Sequence, residues 1–195
     1  MTQLLKLKYL SPNEYLIQES QANIRHEYVD GEIFAMAGAS ERHNKIALNI
    51  AFQLRAATRG TNCSIFMSDM KIRVQQGKRF YYPDVSMCCD LKDNDPYFKD
   101  QPCLIAEVLS KSTATTDRRE KWLAYRNISS LRYYLLVNSN QPKIDYFHRI
   151  NNEIWELGQL TSSQESLAIN CASQQAKLHF ADIFEDIVWG TVNCM

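Results

Sequence analysis

The sequence lacks the features that membrane proteins and strongly basic nucleic-acid coaters need. Its net charge is zero over 195 residues, so no long-range field draws the whole molecule toward nucleic acid or an anionic membrane. No apolar run approaches the roughly 18 residues of a membrane span, and the start, MTQLLKLKYLSPNEY, lacks the apolar region of a signal peptide. We therefore expect a cytoplasmic protein without a membrane segment, in which only a local basic patch could contact nucleic acid.

The six cysteines show no C-x-x-C pair, so the short fixed ligand spacing of a structural zinc site is absent. Four of them lie in apolar, strand-like runs. We expect buried, reduced thiols, which agree with a cytosolic protein. The cysteines are Cys63, Cys88, Cys89, Cys103, Cys171 and Cys194.

The length and a hydrophobic fraction of 45% suit one domain with a sizeable core. No repeat, low-complexity stretch or flexible linker divides the chain. We expect a single domain over residues 1–195, with its core at about 40–140. An N-terminal helix and hairpin at 11–38 and a C-terminal hairpin and tail at 141–195 would be additions to that core.

Local signals place the first elements. SPNE at residues 11–14 predicts a helix that starts with a capping box and a proline. DG at 30–31, between two short extended runs, predicts a hairpin. Ser40 can cap a helix that ends near Gly60, and its apolar positions fall on one stripe of 3.6-residue period.

The remaining elements indicate a mixed α/β or α+β fold. The expected strands are 63–74, 79–89, 102–110 and 132–138, with a polar loop at 91–101 and a late hairpin around 151–152. A helix is expected at about 117–127, with Asp117 and Glu120 as its cap pair. The helical crossover before the last core strand favours a parallel pair, so the central sheet should be mixed.

Two carboxylates stand in apolar strands. PCLIAEVLS (102–110) is typical of a buried strand, yet Glu107 lies in its middle and loses several kcal/mol of hydration unless it is paired. The preceding strand contains Pro83-Asp84, and proline indicates an edge position or a bulge. If Asp84 and Glu107 share a face as cross-strand neighbours, they can bind one divalent cation, and oxygen ligands suit Mg²⁺ or Mn²⁺.

Each acid also has a purely structural interpretation. Asp84 alone is more often a turn carboxylate that accepts hydrogen bonds from backbone N–H groups. Glu107 can pair with a buried arginine, such as Arg132 on the next strand. Their joint occurrence on consecutive strands favours the metal site.

Four segments carry a resemblance to a known family: HEYVDGEIFAMAGASERH (26–43), YYPDVSMCCD (81–90), LIAEVLSKSTATTDRREKWLAY (104–125) and YYLLVNS (133–139). In this order they resemble the PD-(D/E)XK nuclease superfamily and, more closely, the Uma-type family of restriction endonucleases. The resemblance implies a restriction-endonuclease-like core of helix, three strands, helix and strand. It also implies Mg²⁺-dependent hydrolysis of phosphodiester bonds, with Asp84 and Glu107 as the metal-binding acids.

The resemblance also bears on the catalytic amine. The superfamily has a lysine two residues after the glutamate, where this chain has Leu109, and Lys121 on the following helix matches the amine that this family supplies instead. Taken alone, Lys121 would be a solvated helix residue. Lys111, four residues after Glu107, is the rival, but it stands where the strand leaves for a loop.

Two further positions, Glu27 and His43, match recurrent family positions without a settled role. On their own, an exposed cross-strand glutamate and a hydrogen-bonded, half-buried histidine are the simpler interpretations. Two basic stretches are expected to contact backbone phosphates, which carry no sequence information. They comprise Lys71, Arg73, Lys78 and Arg79 across one hairpin, and Arg118 and Arg119 beside Lys121.

The sequence thus predicts a Mg²⁺-dependent DNA endonuclease, acting as a homodimer because two-fold symmetry suits the cutting of two strands. A non-catalytic nucleic-acid-binding or regulatory module with the same fold is the main alternative. A third hypothesis is a nuclease that acts on RNA or on branched or single-stranded DNA.

Overall fold

The computed structural model describes residues 9–110, 114–172 and 174–189. The chain forms a mixed α+β fold, as the sequence predicted. The helices are α1 (Pro12–Ser20), α2 (Glu41–Ala57), α3 (Ala114–Thr116), a π-helical segment Asp117–Lys121, α4 (Trp122–Tyr125) and α5 (Phe180–Ile183). The strands are β1 (His26–Val29), β2 (Glu32–Ala35), β3 (Ser64–Met67), β4 (Lys71–Val74), β5 (Arg79–Tyr81), β6 (Val85–Cys88), β7 (Phe98–Lys99), β8 (Pro102–Leu109), β9 (Tyr133–Asn138), β10 (Ile144–Arg149), β11 (Trp155–Leu160), β12 (Ser166–Cys171) and β13 (Gln174–His179).

The strands form two larger sheets and a separate hairpin. The six-stranded sheet has the order β11-β10-β9-β8-β6-β3, the five-stranded sheet the order β2-β1-β5-β4-β7, and β12 pairs with β13. β8 and β9 are parallel, as expected from the helical crossover between them. The other pairs of the six-stranded sheet are antiparallel, so this sheet is mixed.

Two predicted long strands are each broken in the structure. The expected strand 63–74 divides into β3 and β4, and the expected strand 79–89 divides into β5 and β6. β3 and β6 belong to the six-stranded sheet, whereas β4 and β5 belong to the five-stranded sheet. The second break contains Pro83, which cannot donate a ladder hydrogen bond, and it leaves Asp84 at the point where the chain passes from one sheet to the other.

The two faces of the six-stranded sheet are covered differently. α2 begins with Ser40 as N-cap and packs its buried stripe, including Ile46, Ile50 and Leu54, on one face together with the β12–β13 hairpin. The opposite face packs against α4 and the five-stranded sheet through residues such as Tyr125 and Tyr81. No helix in the described ranges is long and apolar enough to cross a membrane.

The expectation of reduced thiols is wrong for four cysteines. Cys63 is bonded to Cys89 and Cys103 to Cys171, whereas Cys88 is free and buried. The two pairs are 26 and 68 residues apart in the chain, so their spacing gave no signal. Strand pairing brings the first pair together, because β3 and β6 align Ser64 with Cys88. The argument from reduced thiols to the cytosol therefore loses its basis, and Cys194 lies outside the described residues.

Candidate active site at the meeting of the two sheets

Asp84 and Glu107 lie opposite each other on neighbouring chain segments. β6 and β8 are antiparallel with Val85 opposite Ala106, and the same register places Asp84 opposite Glu107. Directly opposite residues of an antiparallel pair project to the same face. Asp84 Oδ2 also accepts a hydrogen bond of 2.7 Å from the backbone N–H of Val108, which holds this carboxylate against the Glu107 strand.

Lys121 is the cation of the site. Its Nζ lies 3.3 Å from Glu107 Oε1, 2.9 Å from Glu27 Oε1 and 3.4 Å from Asp117 Oδ1. The Lys121 side chain is only 9% exposed, so the solvated-helix interpretation fails. Arg132, the other partner considered for Glu107, is exposed. The amine reaches the Glu107 carboxylate across the sheet face, and Lys111 lies outside the described residues.

Glu27 and His43 extend the site on two sides. Glu27 Oε1 accepts a hydrogen bond of 3.2 Å from the backbone N–H of Tyr82 in addition to its ion pair with Lys121. His43 Nε2 lies 2.8 Å from Asp84 Oδ1, and its side chain is 14% exposed. Each is thus tied to one of the central groups: Glu27 from the five-stranded sheet and His43 from the first turn of α2.

The structure adds Asp117 to the cluster and corrects its expected role. Asp117 is not an N-cap, because helical structure already begins at Ala114 and Asp117 is buried within it. Its partner Glu120 is exposed. Asp117 instead forms an i,i+4 ion pair with Lys121, whereas the sequence interpretation used its spacing to Glu120 as a capping signal.

Tyr125 is a second residue that the sequence analysis missed. Its hydroxyl donates to Glu107 Oε1 at 3.3 Å, one helical turn beyond Lys121. The described contacts of the Glu107 carboxylate, from Lys121 and Tyr125, both go to Oε1.

The electrostatics of the pair follow from its burial. Burial raises the pKa of Glu107 well above its usual 4.5; Lys121 opposes this rise, and the neighbouring carboxylates of Asp117, Asp84 and Glu27 add to it. The pKa of Lys121 is lowered by burial, but the attraction of Glu107, Glu27 and Asp117 outweighs that effect and raises it well above 10.5. The amine is therefore fully charged at neutral pH.

The donor set fits a hard divalent cation. The carboxylates of Glu27, Glu107 and Asp117 lie around Lys121, and Asp84 is close enough to Glu107 to raise its pKa. Such an excess of negative charge favours a cation. Among the described residues, no group of three or more histidine, cysteine or acidic side chains is arranged to hold a metal together. A cation would thus have two protein ligands, Asp84 and Glu107, with water and phosphate oxygens completing its shell, which is the way Mg²⁺ is commonly bound.

The structure does not gather the six basic residues into one patch. Lys71 is buried, with its Nζ 3.3 Å from the Tyr82 hydroxyl, so it offers no exposed charge to a phosphate. Three arginines form ion pairs with acids: Arg73 with Asp100, Arg79 with Asp30, and Arg118 with Asp145. Lys78 and Arg119 are exposed and stay predicted phosphate contacts.

Comparison with known proteins identifies the family of the chain. The Uma2 family model, described as "Putative restriction endonuclease", matches residues 12–179. The chain belongs to the Uma2 family. The resemblance seen in the sequence is thereby confirmed.

Relatives and a solved structure extend the comparison. This Uma2 chain is 39% identical over 147 residues to the uncharacterized protein slr1290 of Synechocystis sp., covering 75% of this chain and 77% of the relative. It is 34% identical over 156 residues to the uncharacterized protein sll1609 of the same organism, covering 78% and 88%. Its fold matches the crystal structure of a "putative nuclease" of the DUF820 family from Anabaena variabilis. That match has a TM-score of 0.69 and 13% identity, and covers 90% of this chain and 97% of the other.

Proposed function

We propose that this Uma2 protein is a Mg²⁺-dependent endonuclease that hydrolyses phosphodiester bonds of DNA. The observation that carries the proposal is the buried Lys121 amine, held among Glu27, Glu107 and Asp117 with Asp84 on the neighbouring strand. A phosphodiesterase needs a cation site and a fixed positive charge close together. Packing alone does not readily explain why these acids and the lysine converge where the two sheets meet, because burying charges costs more free energy than burying apolar groups of the same size.

The residues divide the chemistry between them. Asp84 and Glu107 would hold Mg²⁺, which when bound lowers the pKa of a coordinated water and polarises the phosphate. Lys121 stays protonated, so it would orient the attacking water and stabilise the negative charge that develops on the phosphate oxygens. Tyr125 and His43 would fix the orientation of Glu107 and Asp84. As the water's oxygen bonds to phosphorus, the water releases a proton to solvent. The bond from phosphorus to the leaving oxygen breaks, and the leaving oxygen takes up a proton from solvent.

A homodimer is the proposed form on duplex DNA, because two-fold symmetry brings one site to each strand. The exposed Lys78 and Arg119 are the proposed phosphate contacts. The protein would then position the DNA strand through contacts with the DNA backbone, and any preference for particular bases would come from other contacts.

Cleavage of end-labelled DNA and RNA of one sequence, single-stranded and duplex, tests the proposal. We expect cleavage of DNA with Mg²⁺ or Mn²⁺ and none with a chelator. Lys121→Ala should lower the rate by about 100-fold or more while DNA binding persists, because the amine acts mainly in the transition state. Lys177→Ala, an exposed lysine of β13, is the matched control and should cleave normally.

The contrary outcomes are equally definite. Binding of DNA without any metal-dependent cleavage would favour a non-catalytic binding module. Cleavage of RNA alone would mean that the substrate is RNA and not DNA. Because Lys121 is buried, melting curves accompany each variant, and Asp84→Asn provides a second inactive variant with nearly the same shape. Full activity in a folded Asp84→Asn protein would contradict the assignment of the site.

A further inference from the structure

An exposed aromatic ring stands on the edge strand beside the candidate site. β2 is the outer strand of the five-stranded sheet, and Phe34 on this strand is 50% exposed. Single exposed apolar residues are common on protein surfaces, so exposure alone indicates nothing. The position of this ring relative to the site carries the argument.

Phe34 is the outermost member of a row of side chains that leads to Lys121. It lies directly opposite Glu27 in the antiparallel β1–β2 pair, with the two Cα atoms about 4.5–5.5 Å apart and both side chains on one face. The β1–β5 register continues the row to Tyr81, whose ring centroid is 5.7 Å from Lys121 Nζ. Glu27 itself reaches that amine at 2.9 Å. The Phe34 ring is thus one strand away from a side chain of the candidate active site.

The neighbouring residue of β2 projects to the other face of the sheet. All four residues of β2 are exposed, so burial does not distinguish its two faces. Ile33 lies opposite Tyr28, which packs with Tyr15 and Phe80 in a small core. Phe34 lies on the opposite face, the one turned toward Glu27.

The charge distribution leaves room for a contribution that is not electrostatic. The net charge is zero, Lys71 is buried, and three of the other basic residues are paired with acids. Of the six basic residues expected to contact phosphates, only Lys78 and Arg119 are exposed and outside these ion pairs, and phosphate contacts supply most of the affinity in proteins that bind long duplexes. Stacking of bases on aromatic rings is the other main source of affinity, and it requires bases that are not stacked in a helix.

We infer that Phe34 is a base-stacking residue, and that the preferred substrate presents an unpaired base beside the scissile phosphate. The base would lie on the exposed ring of Phe34 while the adjoining phosphate reaches Asp84, Glu107 and Lys121. This inference deepens the proposed function and rests on it. It narrows the substrate class to single-stranded or locally unpaired nucleic acid.

Fluorescence anisotropy with a labelled DNA strand and its fully paired duplex tests the inference. Ca²⁺ replaces Mg²⁺ as a cation with oxygen ligands, and a gel verifies that the strands stay intact. We expect the wild type to bind the single strand more tightly than the duplex. Phe34→Ala should weaken single-strand binding about tenfold, within the range measured for loss of one base–aromatic stack. Phe34→Trp should keep the affinity, and Phe34→Leu should lose most of it because leucine is apolar but cannot stack.

Phe52→Ala is the matched control, since Phe52 is 71% exposed on α2 and lies more than two helical turns beyond His43. Equal affinities of the Phe34→Ala and Phe52→Ala proteins would overturn the inference, as would a Phe34→Leu protein that binds like the wild type. If Phe34→Ala still cleaves DNA normally in those cases, the proposed function stands without it. A wild type that neither binds nor cleaves any of the strands would contradict both.

Discussion

At the scale of single residues, the site is a balance between one amine and several carboxylates. Burial alone would lower the pKa of Lys121, yet the attraction of three acids within 3.4 Å raises it. Burial and the surrounding acids have the opposite consequence for Glu107, whose pKa they raise. The amine is thus suited to stabilise charge and unsuited to remove a proton, so the attacking water must be activated in another way.

The raised pKa of Glu107 predicts a pH-dependent effect of Glu107→Gln on stability in a chelating buffer. An acid whose pKa is higher in the folded state binds its proton more tightly there, so its contribution is complete below 4.5 and is lost as the pH rises through the raised pKa. Glutamine resembles the protonated form at every pH. The free energies of unfolding of wild type and variant should therefore agree at low pH. At higher pH they should diverge in favour of Glu107→Gln, by at most about 1.4 kcal/mol per pH unit.

Denaturant unfolding over a pH series measures this difference. Glu153→Gln, which alters an exposed acid, should leave the curve unchanged and serves as the control. A variant that is markedly less stable than the wild type at neutral pH would mean that the Glu107–Lys121 ion pair is a net structural support. The repulsion between Glu107 and the neighbouring carboxylates would then affect stability less than the ion pair does.

Much of this site could be predicted from residues, and the missed part has a clear cause. Asp84 and Glu107 were detectable because a carboxylate inside an apolar strand needs a partner. Tyr125 was missed because its hydroxyl meets Glu107 only after the helix packs on the sheet, and Asp117 was missed because it was interpreted as a helix cap. Sequence spacing gives helical neighbours, but it does not give the face that the sheet covers.

At the scale of elements, the breaks in two predicted strands decide where the site forms. The sequence predicted single strands at 63–74 and 79–89, and each half of each range does contain a strand. The pattern contains no information on which sheet each half joins, since this depends on pairing with distant strands. Pro83 was the local sign of the second break, and the acid next to it lies in the candidate site.

The two disulfides link separate strands, and they predict that a reductant lowers the stability of the protein. Cys103–Cys171 ties β8 to the β12–β13 hairpin, and Cys63–Cys89 joins the ends of β3 and β6. From the 68 and 26 residues that they enclose, loop-closure entropy gives about 4.4 and about 3.5 kcal/mol of stabilisation. Reductant should lower the free energy of unfolding by up to about 8 kcal/mol in the wild type. In Cys103→Ser, which keeps only the Cys63–Cys89 bridge, it should lower it by up to about 3.5 kcal/mol.

Peptide mapping without reduction checks the pairing itself. It should recover the two bridged peptides, with Cys88 alkylated only after unfolding, because burial raises the pKa of its thiol to about 12. Denaturation curves that are identical with and without reductant, together with freely alkylated Cys103 and Cys171, would contradict the bridges. The reduced thiols expected from the sequence would then be correct.

At the scale of the whole molecule, the site joins the two larger sheets. Glu27 comes from the five-stranded sheet, Glu107 from the six-stranded sheet, Asp84 from the segment that passes between them, and Lys121 from the helical segment packed on both. A ligand bound by these groups therefore holds elements that are distant in the chain. Binding of a ligand at the site should therefore stabilise the entire fold.

This coupling predicts that Mg²⁺ or Mn²⁺ raises the melting temperature. A cation that binds only the folded state at about 100 times its dissociation constant adds about 2.7 kcal/mol, which corresponds to about 5–10 °C for a chain of this size. Asp84→Asn and Glu107→Gln each remove one of the two proposed ligands, so both should melt at the same temperature with and without the metal. Glu153→Gln should retain the full shift. Thermal unfolding and calorimetric titration of the four proteins measure the effect. An equal shift in all four proteins would place the cation elsewhere, because a cation that is held by Asp84 and Glu107 should not bind when either residue is replaced.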